Sequence, residues 1–98
     1  MIRQATPFET DRVIQIWLDA SRRAHGFIPQ EYWISHVSDM RNIYLPQATT
    51  FVCDVGNEIA GFISLVDTDI AAVFVAPEEQ HRGYGRQLMQ FAKMKNNL

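Results

Sequence analysis

Apolar positions along the chain fall into two regimes, and the change comes near Thr49. Before it they recur at helical spacing. After it they gather in short β-branched runs. Val13, Ile16, Trp17, Ala20 and Ala24 follow one another at mostly three- and four-residue intervals, which predicts an amphipathic helix with one buried face. Its start is marked by Thr6-Pro7-Phe8-Glu9. Thr6 serves as N-cap, Pro7 takes the first helical position and Glu9 stands three residues after the cap, the pattern of a capping box. Gly26 is expected as its C-cap. Pro29 restarts the pattern; Trp33, Val37, Met40 and Tyr44 carry it on to Pro46, so a second helix is expected across 29–46.

The strand signals are equally local. Ile2 to Ala5 reads as a short first strand. The run from Thr49 to Val55 is β-branched and partly alternating, and Gly56-Asn57 supplies a turn into a second run, Glu58 to Val66. Asp67-Thr68 makes another turn. The third run, "DIAAVFVAP" from Asp69 to Pro77, is nearly all apolar and is expected to be central and buried on both faces. Leu88, Met89 and Ala92 then predict a last helix from about Gly85. The order is β-α-α-β-β-β-α. A strand entering a crossover helix ordinarily returns to a parallel neighbour; no strand returns here, so the sheet is expected to be unfinished at Leu98.

Composition narrows the function classes. A chain of 98 residues, 47% hydrophobic and 20% charged, has the profile of one small globular domain. Its formal net charge of -2, with Lys and Arg scattered, argues against nucleic-acid binding, which needs clustered cations. The single cysteine, Cys53, precludes an intrachain disulfide and fits a reducing compartment. The N-terminus has no apolar h-region, and the longest apolar run, Ile70 to Ala76, is too short to span a bilayer. A cytoplasmic protein without a membrane partner is expected.

The chemistry concentrates in "QHRGYGRQLMQF", Gln80 to Phe91. A glycine-bearing loop feeding a helix N-terminus is an anion site, because the free N–H groups and the helix dipole both face the ligand. A P-loop would need a Gly-Lys pair, and none exists. A Rossmann fingerprint would need Gly or Ala where Leu88 stands. What remains is Gln80-x-x-Gly83-x-Gly85 after a strand ending Val-x-Pro. This stretch resembles the acyl-CoA signature of the GNAT N-acetyltransferases. The preceding "FVAPEEQHRGYG", the following "RQLMQFA" and the order of elements are similar to that family too. The opening "MIRQA", "IWLDAS" and "HGFIP" with "EYW" resemble small bacterial members described as protein lysine acetyltransferases.

The resemblance implies a GNAT-like α+β fold, with a mostly antiparallel sheet flanked by helices, in one domain spanning 1–98. It covers the chain but about two-thirds of the family's domain, lacking the following strand, helix and closing hairpin. It implies acetyl-CoA as acyl donor and an amine acceptor, a protein lysine or a small amine, attacking the thioester directly. The pyrophosphate would rest on the loop, so Gln80, His81, Arg82, Gly83, Tyr84, Gly85 and Arg86 become candidate CoA contacts; Arg82 also reads as a plain exposed arginine. Val73, Phe74 and Val75 lie on the strand whose backbone, in the family, holds the pantetheine arm, though their side chains read equally as core. Counting back from the signature, Asp69 falls where some members place a catalytic glutamate, and it also suits a turn. Glu58 is a weaker candidate. His25 and His36 have no partner at ligand spacing, so no metal is expected. Cys53 reads as packing. Trp17, Phe27, Trp33 and Tyr44 either line an acceptor site between the first helices or are core. Alternatives are a remnant that binds CoA without turnover, or a small interaction module. The apolar strand from Ile70 lacks edge protection, so a homodimer through it is expected.

Overall fold

The computed structural model describes residues 1–96. Four strands form one antiparallel sheet in the order β1-β2-β3-β4: β1 Ile2–Gln4, β2 Thr49–Val55, β3 Glu58–Val66 and β4 Asp69–Val75. Helix α1, Thr10–Ala24, packs on one face. Helix α4, Tyr84–Asn96, packs on the other. The α1 side buries Val13, Ile16, Val52 and Phe62; the α4 side buries Phe51, Cys53, Ile63, Leu65, Leu88 and Ala92. Burial of Cys53 pushes its thiol pKa up, as desolvation penalises the thiolate.

The entry to α1 is built as its sequence requires. A 3-10 turn, Pro7–Glu9, precedes the helix, and the Glu9 carboxylate accepts the Thr6 N–H at 2.9 Å. The same carboxylate accepts two bonds from Arg3, at 2.9 and 2.6 Å, and Arg3 reaches on to Asp54 of β2 at 3.0 Å. These donors hold the Glu9 pKa down at about 2, the Arg3 bonds contributing most. Gly26 is not the cap: α1 ends at His25, whose N–H donates to the Ser21 carbonyl at 3.0 Å.

The expected second helix across 29–46 is broken. Helix α2 runs only from Gln30 to Ser35; then come α3, Val37–Asp39, a π turn, Met40–Tyr44, and a 3-10 turn, Leu45–Gln47. The break has a local cause. The Tyr32 carbonyl is bonded by Ser35 Oγ and His36 Nδ1, each at 2.7 Å, and the His36 N–H turns to Trp33 at 3.0 Å. Side chains thus compete with the helical ladder.

The most extensively buried strand is β3, with seven consecutive buried residues from Ile59 to Leu65. β4 is not central. It stands at the sheet edge among the described residues, half-buried along most of its length. Its apolar run has another reason. Ile70 and Val73 pack on the α4 side while Ala72 and Phe74 pack on the α1 side, so both faces need apolar side chains although one edge is free. The odd spacing of Ile70 and Val73 follows from a bulge. Ser64 pairs with Ala72 and Leu65 with Ile70, leaving Ala71 as the extra residue. A second bulge lies on β3, where Ala60 is extra and its carbonyl accepts the Ala76 N–H at 2.8 Å.

Candidate functional site

β4 leads through Ala76 and a 3-10 turn, Pro77–Glu79, into the loop before α4. In this loop His81 has φ 68° and Gly83 φ 85°, while Arg82 between them does not have positive φ. The two left-handed residues bend the chain sharply just before α4, so that the loop runs directly into the helix start. Only Gly83 adopts its conformation without cost; His81 does so against its Cβ. The first recorded α4 bond runs from Gln87 N–H to the Gly83 carbonyl at 3.1 Å. The N–H groups of Tyr84, Gly85 and Arg86 therefore project beyond the helix start. A Cβ on Gly83 would meet nothing within 4 Å, and one on Gly85 would touch only Val75 Cγ2 at 3.6 Å. The surface in front of the glycines is open, as an approaching phosphate requires.

The side chains of the signature play mixed parts. Gln80 Nε2 donates to the Val75 carbonyl at 3.3 Å, tying the loop to the end of β4. Arg82 is exposed and paired with Glu79 at 3.3 Å, so its guanidinium is held beside the loop. His81 and Arg86 are exposed; Tyr84 is half-buried on the α4-side core. Val73 and Phe74 have half-buried side chains on opposite faces of β4. Val75 occupies the space that a side chain on Gly61 or Gly85 would enter.

Two features of this region were not visible in the sequence reading. One is Gly61, directly opposite Val75. A Cβ there would sit 2.7 Å from the Phe74 carbonyl oxygen, inside van der Waals contact. The lone glycine within a strand pattern was the available signal. The other is the Ala71 bulge, which frees backbone from the ladder midway along β4.

Beside that bulge lies a cavity of about 270 Å³, lined by Trp17, Met40, Tyr44, Leu45, Ala48, Ser64, Ala71, Ala72 and Phe74. Of the aromatics expected between the first helices, Trp17 and Tyr44 reach it. Trp33 instead packs edge-on against Trp17, with ring centroids 6.1 Å apart, and Phe27 is largely exposed beside His25. No carboxylate lines the cavity among the described residues. Asp69 is exposed at the first position of β4, opposite Val66. Six residues of strand separate it from Val75, roughly 20 Å. Glu58 is exposed at the start of β3, beside the Gly56-Asn57 turn, whose φ values of 60° and 70° fit a type I′ hairpin. No helix among the described residues is long and apolar enough to cross a membrane.

Comparison with known proteins bears on this geometry. The model of the acetyltransferase (GNAT) domain matches residues 46–98, more than half of the chain. The peptidyl-lysine N-acetyltransferase YiaC of Escherichia coli is 33% identical over 97 residues, which are 98% of this chain and 66% of that protein. The solution structure of apo-form YjaB from Escherichia coli superposes with a TM-score of 0.85 at 26% identity, covering 99% of this chain and 66% of that one. The PaiA N-acetyltransferase of Thermoplasma acidophilum, solved in complex with coenzyme A, superposes with a TM-score of 0.83 at 15% identity, covering 99% and 71%; at that identity the likeness is one of fold. The chain spans just under two-thirds of the length of the curated relatives it matches.

Proposed function

Because the chain belongs to the GNAT acetyltransferase family, we propose that it moves an acetyl group from acetyl-CoA to a primary amine, most simply a lysine side chain, by direct attack on the thioester. The observation that carries the proposal is the loop 80–86, where a sharply bent, glycine-bearing turn leads into a helix start with free N–H groups and open space off Gly83. The CoA pyrophosphate is its natural occupant, and the coenzyme A recorded for PaiA supports that choice. In this reading the backbone from Gln80 to Arg86 holds the phosphates, Arg82 leaves Glu79 to pair with one of them, and the pantetheine arm runs back along β4 past Val75, Phe74 and Val73 to the bulge. There the freed backbone polarises the acetyl carbonyl.

The acceptor amine then enters the cavity beside Ala71. Its aromatic and aliphatic lining suits the hydrocarbon stem of a lysine, and the YiaC likeness supports a peptidyl lysine as the acceptor. Removing the amine from water also favours its neutral, nucleophilic form. Asp69 does not line the cavity, and we assign it neither contact with the amine nor the part of its base. The test is direct. Acetyl-CoA is incubated with lysine-containing peptides, and free thiol is followed. Acceptor-dependent thiol release supports the proposal. Folded protein that binds CoA by calorimetry yet releases no thiol would reduce it to a CoA-binding remnant; no CoA affinity at all would end it.

A further inference from the structure

The amine must lose a proton before it attacks, and a lysine at pH 7 is neutral only about once in 2,500. The cavity beside Ala71 offers few groups to take it. Tyr44 is the one titratable side chain in the lining among the described residues, and it is more than half exposed to solvent. One aliphatic hydroxyl is present, Ser64 on β3, 4% exposed and paired with Ala72 beside the bulge. Its Oγ lies 2.8 Å from Thr50 Oγ1 on the neighbouring strand, and either oxygen can be the donor. Thr50 faces a different space. It lines a second cavity, of about 190 Å³, with Gln4, Thr6 and Thr10 around it. Leu45 and Ala48 line both cavities and so form the wall between them. The hydroxyl pair bridges that wall.

We propose that Ser64 and Thr50 form a two-step proton relay from the acceptor amine to water in the second cavity. The ammonium passes one proton to Ser64 Oγ; Ser64 passes its own proton to Thr50 Oγ1; Thr50 passes its own to water. Both hydroxyls are regenerated. The neutral amine nitrogen then bonds to the acetyl carbon, the carbon–sulfur bond breaks, and the CoA thiolate takes the second amine proton. One proton leaves to solvent per turnover. No charged side chain lines either cavity among the described residues, so nothing there competes for the proton. Ser64 touches the amine and is a catalytic residue; Thr50 acts through it.

The inference rests on the acetyltransferase reading, and the test separates the two. Thr50→Val keeps the shape and removes the second hydroxyl. With a lysine side-chain acceptor at pH 7, its kcat/KM is expected to fall roughly 100-fold, the lower range for lost acid–base catalysis. The loss should shrink as pH rises toward about 10.4, where the amine is already neutral. It should also be much smaller with a peptide α-amine, whose pKa is about 8. Thr50→Ser, which restores a hydroxyl, should recover most of the rate. CoA affinity by calorimetry and the circular dichroism spectrum verify that each variant is folded. An equal loss at every pH and with both amines would mean that the pair only satisfies buried polar atoms, and would overturn the relay while the acetyltransferase reading stands. A wild-type chain without acceptor-dependent thiol release would overturn both.

Discussion

Gly61→Ala adds a single methyl group where β3 faces Val75 of β4. The added carbon would sit 2.7 Å from the Phe74 carbonyl oxygen, 3.2 Å from Val75 Cα and 3.3 Å from Val75 Cγ2. Two of these neighbours are backbone, so no side chain can rotate away to relieve the clash. The strands must part by several tenths of an ångström, and overpacking of this kind costs about 1–3 kcal/mol. Alanine loses less unfolded-state entropy than glycine, which returns about 0.4–1 kcal/mol. A net destabilisation of about 1–2 kcal/mol remains. At about 4–8 °C per kcal/mol for a chain of this size, Tm should drop by roughly 5–15 °C. The shift should reach the loop as well, because the Val75 carbonyl holds Gln80. Thermal unfolding by circular dichroism reads the first effect, and CoA calorimetry well below Tm reads the second. Gly85→Ala is the control, since its methyl group makes only an ordinary 3.6 Å contact. A Gly61→Ala variant that melts within 1 °C of wild type would refute the reasoning.

Further outcomes follow from the same geometry. Gly85→Ala should leave Tm unchanged or raise it, because alanine is the better helix former by up to about 1 kcal/mol, and its methyl, directed at Val75, should leave CoA binding intact, whereas the bulkier Gly85→Val should weaken CoA binding at least tenfold by crowding the backbone that meets the phosphate. Gly83→Ala should weaken binding too and also cost stability, about 1–2 kcal/mol for a residue forced to positive φ. Glu9 carries the acid sensitivity of the N-terminal staple. Its pKa is depressed from 4.5 to about 2, so its stabilising effect is complete above pH 4.5 and is lost as pH falls toward 2; Glu9→Gln should flatten that part of a Tm-against-pH curve. The 98-residue chain should self-associate through the outer edge of β4, which has neither charge nor proline between Ile70 and Ala76, and sedimentation showing a monomer at every concentration would exclude this. Ala71→Lys, at an exposed position of that strand, should weaken the association.

What the sequence made legible was local chemistry. Thr6 to Glu9, Gly56-Asn57 and the signature Gln80 to Gly85 each act through neighbours a few residues away, and each stands where its pattern predicts. The readings that failed needed information that apolar spacing does not carry. β4 was expected at the centre because its run is apolar, but an edge strand between two helical layers needs apolar residues on both faces as well. The Ala71 bulge hid the alternation that would have distinguished these cases, since it brings Ile70 and Val73 to one face at a spacing of three. The second helix failed for a different reason. Its apolar spacing is helical, but Ser35 and His36 divert the Tyr32 carbonyl, which periodicity does not register. The cavity and the Thr50–Ser64 pair were out of reach because their residues come together only across strands.

β3 connects these observations into one arrangement. It has the longest run of buried residues among the described strands, so its residues are the least free to move. Gly61 on its α4 side sets the distance to Val75, and through the Val75 carbonyl and Gln80 it sets the position of the phosphate loop. Ser64 on its α1 side faces the cavity beside the bulge. The donor and acceptor halves of the proposed reaction are therefore indexed to one rigid strand, three residues apart, although neither residue touches the phosphates. A thioester laid along β4 and an amine in the cavity would meet at the bulge, where the ladder between β3 and β4 is interrupted. Such an arrangement supplies orientation without a mobile part, and orientation contributes several kcal/mol to a bimolecular transfer. It also implies that changes on β3 alter turnover more than their distance from the loop suggests, because they move donor and acceptor relative to each other.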